Sequence, residues 1–133
     1  MPGDKQDWVM VTGASAGMGR ALAARLAEEN RNVVAAARDL RRLPVTSGRG
    51  RIIGIELDLE DPDATAAGAA KVAEIVGSGR LAGLVNMAGV IVEGPLEAIP
   101  PRDLRRQLDV NLVGPFALPQ ALLPMLKAGR GKV

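Results

Sequence analysis

The chain has 133 residues, within the usual size of one domain, and it contains no Cys, no His and no Tyr. Without Cys and His, the sequence excludes disulfides, thiolate metal sites and a serine–histidine hydrolase, and we predict no metal site. The formal net charge is +2 and the basic residues are scattered among acids, which argues against a nucleic-acid-binding surface.

Hydrophobic residues make up 47% of the chain and are mostly Ala, Val, Leu and Ile, which is typical of a buried parallel sheet covered by Ala-rich helices. The N-terminus, Met1–Asp7, is polar and carries two acids, unlike a signal peptide. No uninterrupted apolar run approaches the roughly 18 residues of a membrane span. We therefore expect a soluble cytoplasmic protein that interacts with neither membranes nor nucleic acids.

A short apolar run, Trp8–Thr12, ends directly in glycine, as expected of a strand that is buried on both faces. Apolar residues then recur at helical spacing from Met18, with charged residues on the other faces of the predicted helix. Val33–Ala37 is a second buried strand by the same pattern. Strand, helix and strand within about 30 residues predict a βαβ unit.

The segment Arg51–Leu57, in which Ile and Leu cluster, predicts a third strand. Asp61 and Pro62 predict the start of a helix, because Asp caps free N–H groups and Pro tolerates an early helical position. This helix is expected to run to about Val76. Leu81–Met87 predicts a fourth strand, which is again followed by small residues.

After a loop at Val90–Pro100, a long helix is predicted from about Pro101 to Lys127, ended by Gly129. Gly131–Val133 has the pattern of a fifth strand that begins there. Strands that alternate with helices predict parallel pairing through right-handed crossovers, and therefore an α/β fold of three layers. We expect the chain to end after about four strands.

Pro115 lies inside the long predicted helix, four residues after Asn111. Proline has no N–H to donate to the carbonyl four positions earlier, and its ring crowds that carbonyl. We therefore predict a helix that continues through Pro115 with a kink and leaves the Asn111 carbonyl free for an ordered water. The alternative is a helix that ends before Pro115, with Gly114 as its terminator.

The loop Thr12–Gly19 joins the first strand to the first helix and spaces its glycines as G-x-x-x-G-x-G. Gly13 permits a sharp turn, Gly17 removes a side chain where a pyrophosphate would approach, and Gly19 allows close helix packing. The N-terminus of the helix then offers N–H groups to the anion. This context predicts nucleotide binding, and the alternative is a glycine-rich turn without a ligand.

Three further segments complete a resemblance to the short-chain dehydrogenase/reductase family. They are Asp58-Leu59 after the third strand, Asn86-Met87-Ala88-Gly89, which is similar to the family's N-N-A-G segment, and Asn111 in Asp109-Val110-Asn111-Leu112. Met87 departs from the pattern, since it replaces the second Asn. The resemblance covers essentially the whole chain but only about half of a typical family domain. It implies a Rossmann-type, doubly wound parallel sheet, with residues 1–133 as the N-terminal part of a single NAD(P)-binding domain.

The resemblance also implies roles for individual residues. Asn111 is the implied catalytic residue, and Asp58 is expected to hydrogen-bond the adenine. The implied cofactor-binding residues are Gly13, Ser15, Gly17, Met18, Gly19, Arg38, Asp58, Leu59, Asn86, Ala88 and Gly89. Structural roles are the alternatives at three positions: Asp58 as a turn residue, Asn86 as support for neighbouring backbone, which we favour, and Asn111 as a solvated helix residue.

The residue at the end of the second strand distinguishes NADP(H) from NAD(H), because an acid there accepts from the ribose 2′-OH and repels a 2′-phosphate. Here Ala37 is followed by Arg38, whose guanidinium can clamp a phosphate, so we favour NADP(H) over NAD(H). Asp39 would face the ribose instead if the strand register slipped by one residue. Ala16 stands where some NADP-dependent family members carry a basic residue. Judged alone, Arg38 is equally compatible with a solvated loop charge.

The family resemblance implies hydride transfer between a nicotinamide and a carbonyl or alcohol substrate. In the family, a Ser polarises the substrate oxygen, and a Tyr assisted by the Lys of Y-x-x-x-K transfers the proton. These residues lie beyond the fourth strand, and this chain has no Tyr. We expect residues 1–133 alone to be inactive. We expect the full-length protein to be a homo-oligomeric oxidoreductase that acts on small molecules. The alternatives are a non-catalytic nucleotide-binding module and an interaction module, whose unpaired fourth strand and long helix await a complementing chain.

Overall fold

The computed structural model describes residues 6–133, so residues 1–5 of the polar N-terminus lie outside the described part. The strands are Asp7–Thr12 (β1), Asn32–Ala37 (β2), Ile52–Glu56 (β3) and Arg80–Val85 (β4). The helices are Gly17–Glu28 (α1), Pro62–Val76 (α2), Pro101–Leu108 (α3) and Gly114–Ala128 (α4). Short 3-10 turns lie at Leu40–Arg42 and Leu96–Ala98, and a π turn, Asp109–Val113, connects α3 directly to α4.

The four strands form one parallel sheet in the order β3-β2-β1-β4. Because all pairings are parallel, the carboxyl ends of the strands lie at one edge of the sheet. A further parallel bridge joins Gly83 of β4 to Lys132, whose carbonyl accepts from the Leu84 N–H at 2.9 Å. This bridge is the arrangement expected of a fifth strand that begins beside β4.

Helices cover both faces of the sheet. One face packs on α1 through Val9, Val11, Val33, Ala35, Ala23 and Ala27. The opposite face packs on α2 and α4 through Trp8, Met10, Val34, Ala36, Val72, Leu118, Leu122 and Leu126. Alternate residues of the same strand therefore enter different cores, which explains why the strands are apolar at nearly every position. The three layers confirm the predicted doubly wound α/β fold. Across residues 6–133, no helix is long and apolar enough to cross a membrane.

The strands lie close to their predicted positions, with the largest difference at the end of β4. β4 ends at Val85, two residues before the predicted end at Met87. The N–H groups of Met87 and Ala88 donate to Oγ1 of Thr12, at 3.0 and 3.1 Å, so they are not available to a neighbouring strand. β3 is one residue shorter at each end than the predicted Arg51–Leu57.

The long predicted helix contains a π turn that the sequence did not indicate. The chain is helical on both sides of Pro115, so the alternative of a helix that ends at Gly114 is wrong. The N–H of Gly114 donates to the carbonyl of Asp109, five residues earlier, as in a π-helix. Gly114 instead permits a close approach, since a Cβ there would lie 2.7 Å from the carbonyl oxygen of Leu59. The kink at Pro115 and the water at the Asn111 carbonyl stay predictions.

Ion pairs around Asp7 connect the strands at the amino-terminal edge of the sheet. Arg80, the first residue of β4, donates to the Asp7 carboxylate from Nε at 2.7 Å and from Nη2 at 2.5 Å. Arg31, which precedes β2, lies 3.6 Å from the same carboxylate. The hydrogen bonds from Arg80, reinforced by the charges of Arg80 and Arg31, hold the pKa of Asp7 below its usual value despite partial burial.

We predict that Arg80→Ala lowers the thermal midpoint of unfolding at neutral pH and that this loss shrinks in acid. A carboxyl whose pKa is lowered by folding stabilises the fold above its unfolded pKa, near 3.8, and this contribution is lost as the pH falls through the folded pKa. The difference in midpoint between wild type and variant should be complete at about pH 6 and should decrease below about pH 4.

Lys71→Ala serves as the control in this measurement, because it removes an exposed ion pair with Glu74 within α2. Such a pair contributes little to stability, so the control should have a midpoint close to that of the wild type at every pH. A loss in Arg80→Ala that is the same at all pH values would contradict the role assigned to the Asp7 charge.

Candidate functional site

A cleft of about 310 Å³ lies at the carboxyl edge of the sheet, where β1, β2 and β4 end. Ligands of open α/β sheets bind in crevices at this edge. The glycine loop, the end of β2, the loop after β3 and the segment after β4 form its walls. Among the residues predicted to bind a cofactor, those that line the cleft are Gly13, Ser15, Gly17, Arg38, Asp58, Leu59, Ala88 and Gly89.

Four predicted site residues do not line the cleft, namely Met18, Gly19, Asn86 and Asn111. The side chain of Met18 is exposed, and Gly19 is buried at the start of α1. Oδ1 of Asn86 is buried and has no hydrogen-bond partner within residues 6–133, so its supporting role stays a prediction. The structure therefore brings together most of the predicted residues and places the others around them.

The glycines of the loop meet different requirements. Gly13 and Gly17 have positive φ angles of 63° and 53°. A Cβ on Gly13 would lie 2.7 Å from the Cα of Ala88, and a Cβ on Gly19 would overlap the carbonyl oxygen of Gly13. No atom lies within 4 Å of the Cβ position of Gly17. Contacts within the protein thus require Gly13 and Gly19, whereas Gly17 borders the open space of the cleft.

The N-terminus of α1 is left without a side-chain cap. Its N-cap residue is Ala16, which has no oxygen to accept a hydrogen bond, and the first turn carries no acidic residue. The N–H groups of this turn and the positive end of the helix dipole are therefore available to an anion. The N–H of Ala14 donates to the carbonyl of Ala36 at 3.1 Å and attaches the loop to β2.

Thr12 is a site residue that the sequence analysis did not select. It lines the cleft and is 1% exposed, and its Oγ1 accepts from the N–H groups of Met87 and Ala88. These bonds hold the glycine loop against the segment after β4. A signal was present in the sequence, since a hydroxyl at the end of a buried strand must find a hydrogen-bond partner.

The side chains of Arg38 and Asp39, which follow β2, have different surroundings. Arg38 lines the cleft, whereas Asp39 does not. The Asp39 carboxylate accepts from the backbone N–H of Arg41 at 3.0 Å and from its Nε and Nη2 at 2.9 and 3.0 Å, and so caps the 3-10 turn Leu40–Arg42. These bonds and the nearby positive charge lower the pKa of the Asp39 carboxyl. β2 pairs with both neighbours without a register shift, so the slip that would turn Asp39 to the ribose does not occur.

Asp58 is a turn residue at the cleft, and its hydrogen bond to the adenine stays a prediction. It lines the cleft, and its Oδ1 also accepts from the N–H of Glu60 at 3.0 Å, which makes it a turn residue after β3. Glu60 in turn accepts from Nε of Arg106 in α3 at 3.2 Å. This contact connects the loop after β3 to α3.

Asn111 lies in the π turn and directs its side chain at the segment after β4. Its Oδ1 accepts from the N–H of Val90 at 2.8 Å, and its Nδ2 donates to the carbonyl of Val90 at 2.7 Å. Val90 lines the cleft, so Asn111 supports a wall of the site and is more than a solvated helix residue. Its catalytic role stays a prediction.

The fold and the cleft together define a Rossmann-type α/β protein. The chain belongs to the short chain dehydrogenase family, which it matches over residues 7–133. It is 35% identical over 125 residues to a 3-amino-tetrahydro-pyrrolizinone reductase of Xenorhabdus hominickii. This match covers 94% of this chain and 43% of the relative. It is 36% identical over 133 residues to retinol dehydrogenase 5 of Homo sapiens, covering 95% and 41%. The chain thus spans about two fifths of the length of these curated relatives.

Solved structures of short-chain dehydrogenases and oxidoreductases also match this chain. A short-chain dehydrogenase from Streptomyces avermitilis matches with a TM-score of 0.81 and 32% identity, over 99% of this chain and 48% of the other. A metagenomic short-chain oxidoreductase, solved in complex with NADP, matches with a TM-score of 0.81 and 34% identity, over 97% and 60%. The family and the Rossmann-type fold predicted from the sequence are confirmed.

We predict that alanine substitutions at Gly19 and Gly17 have different effects. The first should mainly lower the stability of the fold, and the second should also weaken dinucleotide binding. Gly19→Ala forces a Cβ against the Gly13 carbonyl and should lower the free energy of unfolding by about 3 kcal/mol. Gly17→Ala meets no neighbouring atom and should cost about 1–2 kcal/mol through its positive φ alone. Its methyl group lies at the cleft, however, and should weaken dinucleotide binding.

Urea denaturation of the full-length protein measures the free energies, and fluorescence titration with NADPH measures the affinities. Gly77→Ala is the matched control, because Gly77 also has a φ of 53° but lies after α2, away from the cleft. It should lose stability without losing affinity. Equal losses of stability at Gly17 and Gly19 would show that the contact with Gly13 does not set the requirement for Gly19.

Proposed function

We propose that the full-length protein is an NADP(H)-dependent oxidoreductase that transfers a hydride between the nicotinamide and a carbonyl or alcohol of a small molecule. Family membership supports the oxidoreductase class over a non-catalytic module. Two of its relatives, a reductase and a retinol dehydrogenase, are consistent with carbonyl and alcohol chemistry. The homo-oligomeric state and the cytoplasmic location remain predictions.

The residues at the cleft fit a dinucleotide. Gly17 leaves space for a pyrophosphate beside the uncapped N-terminus of α1. Oδ2 of Asp58 makes no hydrogen bond in the part of the chain that the structure describes, so it can accept from the adenine while Oδ1 holds the turn. The nicotinamide would supply the hydride, and the residues of this chain would bind and orient the cofactor.

The observation that carries the NADP(H) preference is the contrast between Arg38 and Asp39. Arg38 lines the cleft and makes no ion pair within the described residues. A guanidinium in this position can bind a 2′-phosphate through two charge-assisted hydrogen bonds. The Asp39 carboxylate, which would accept from a ribose 2′-OH, is already bonded to Arg41. Both side chains therefore favour the phosphorylated cofactor.

We predict that Arg38→Asp shifts the preference of the full-length protein from NADP(H) toward NAD(H) by at least about tenfold, the loss expected for one charged hydrogen bond. The substitution removes the phosphate clamp and introduces a carboxylate that repels the phosphate. Titration of wild type and variant with NADPH and NADH measures the ratio of the two dissociation constants.

Arg42→Asp controls for the change in net charge, because Arg42 is exposed in the nearby 3-10 turn Leu40–Arg42 and does not line the cleft. It should leave the ratio nearly unchanged at physiological salt, where surface charges are screened. An unchanged ratio in Arg38→Asp would mean that Arg38 is a solvated charge without a role in cofactor choice.

We also predict that the full-length protein catalyses turnover while residues 1–133 alone do not. The physical reason is that this segment has no Tyr to transfer the proton. NADPH absorbance with a panel of aldehydes and ketones, retinoid and steroid compounds included, measures the rates of both proteins. Turnover by the 133-residue chain would refute the need for a proton donor from outside it.

A further inference from the structure

Two amide side chains, four residues apart, bind the backbone of the segment Gly89–Val92. Asn111 makes the two hydrogen bonds to Val90 described above. Gln107, near the end of α3, binds Val92 in the same manner. The N–H of Val92 donates to Oε1 of Gln107 at 3.0 Å, and Nε2 of Gln107 lies 3.5 Å from the Val92 carbonyl oxygen. The second bond of Gln107 is therefore the weakest of the four.

This pattern is that of a β-ladder in which side chains replace one strand. In an extended chain, the N–H and the carbonyl of one residue face the same neighbour, and the next residue to do so is two positions further on. Val90 and Val92 both face the helix, and the intervening Ile91 is 74% exposed. The segment therefore has an extended conformation although no strand pairs with it in the described part of the chain.

The spacing of the two partners explains why this arrangement is possible. Two residues of an extended chain span about 6.6 Å, and four residues of a helix rise by about 6 Å. Amides at Gln107 and Asn111 can thus reach residues two apart on a chain that runs along the helix. The π turn begins between the two amides and widens the helix there.

The segment held in this way is a wall of the cleft. Gly89 and Val90 line it, and the preceding Ala88 touches the glycine loop at Gly13. Gln107 itself does not line the cleft. We propose that Gln107 is a positioning residue for the nucleotide site, which acts with Asn111 to hold Gly89–Val92 in the extended conformation that binds the cofactor. This inference rests on the function proposed above.

Substitutions at Gln107 separate this role from general stability. Gln107→Leu keeps the approximate size of the side chain and removes both hydrogen bonds. Gln107→Glu keeps the oxygen that accepts from Val92 and loses the weaker donor. Gln120→Leu is the control, because Gln120 is an exposed amide of α4 that makes no side-chain hydrogen bond in residues 6–133.

The experiment combines hydrogen exchange of residues 88–93 in the cofactor-free, full-length protein with NADPH titration and steady-state kinetics. Gln107→Leu should exchange faster in this segment and bind NADPH about two- to tenfold more weakly, the range given by the net contribution of one hydrogen bond. The rate at saturating NADPH should change less than the affinity, because the bound cofactor orders Gly89–Val92. Gln107→Glu should restore most of the affinity, and Gln120→Leu should match the wild type.

Faster exchange in Gln107→Leu with unchanged NADPH affinity would overturn the positioning role and leave the proposed function intact. Unchanged exchange would show that Gln107 does not hold the segment. If the wild type bound neither NADPH nor NADH, the proposed function would be rejected and the positioning role with it. The exchange data would then still report whether the amides order Gly89–Val92.

Discussion

Two walls of the cleft, the glycine loop and the segment after β4, meet at one buried hydroxyl group. Oγ1 of Thr12 accepts from the N–H groups of Met87 and Ala88, and these two bonds use both of its lone pairs. Without the hydroxyl, two backbone donors would be left unpaired at a cost of roughly 1–3 kcal/mol each. Because Gly13 has no side chain, the bonds can bring Ala88 into contact with the glycine loop. The end of β4 and the separation of the two walls both depend on this contact.

The strands and the glycine loop were predictable because each produces a pattern within a few consecutive residues. Both faces of the sheet are covered, so β2 is buried along its whole length and contains no charged residue. The start of α2 was predictable for a similar reason. Asp61 caps this helix by accepting from the N–H of Asp63 at 2.9 Å, and Pro62 occupies its first position. Asp61 and Pro62 act on their own segment of the chain.

The sequence did not indicate which distant backbone a given side chain would bind. Asn111 binds Val90, which lies 21 residues earlier, and the position of the π turn decides that its amide faces this segment. Gly114 was ambiguous for a related reason. A glycine before a proline has the same sequence pattern whether it ends a helix or allows a helix to approach another backbone, here that of Leu59. Only the position of the neighbouring segment distinguishes the two roles.

Cofactor preference was the most difficult property to predict, because Arg38 and Asp39 are adjacent and opposite in charge. Of the two, only Arg38 lines the cleft, and the side chain of Asp39 is bound by the 3-10 turn that follows β2. As its N-cap, Asp39 directs its carboxylate toward the N–H of Arg41, where the guanidinium of Arg41 also binds it. The Asp39 carboxylate is thus held at the turn, whereas Arg38 lines the cleft and could bind a 2′-phosphate. The proposed preference for NADP(H) therefore depends on a helix cap outside the cleft as much as on the arginine within it.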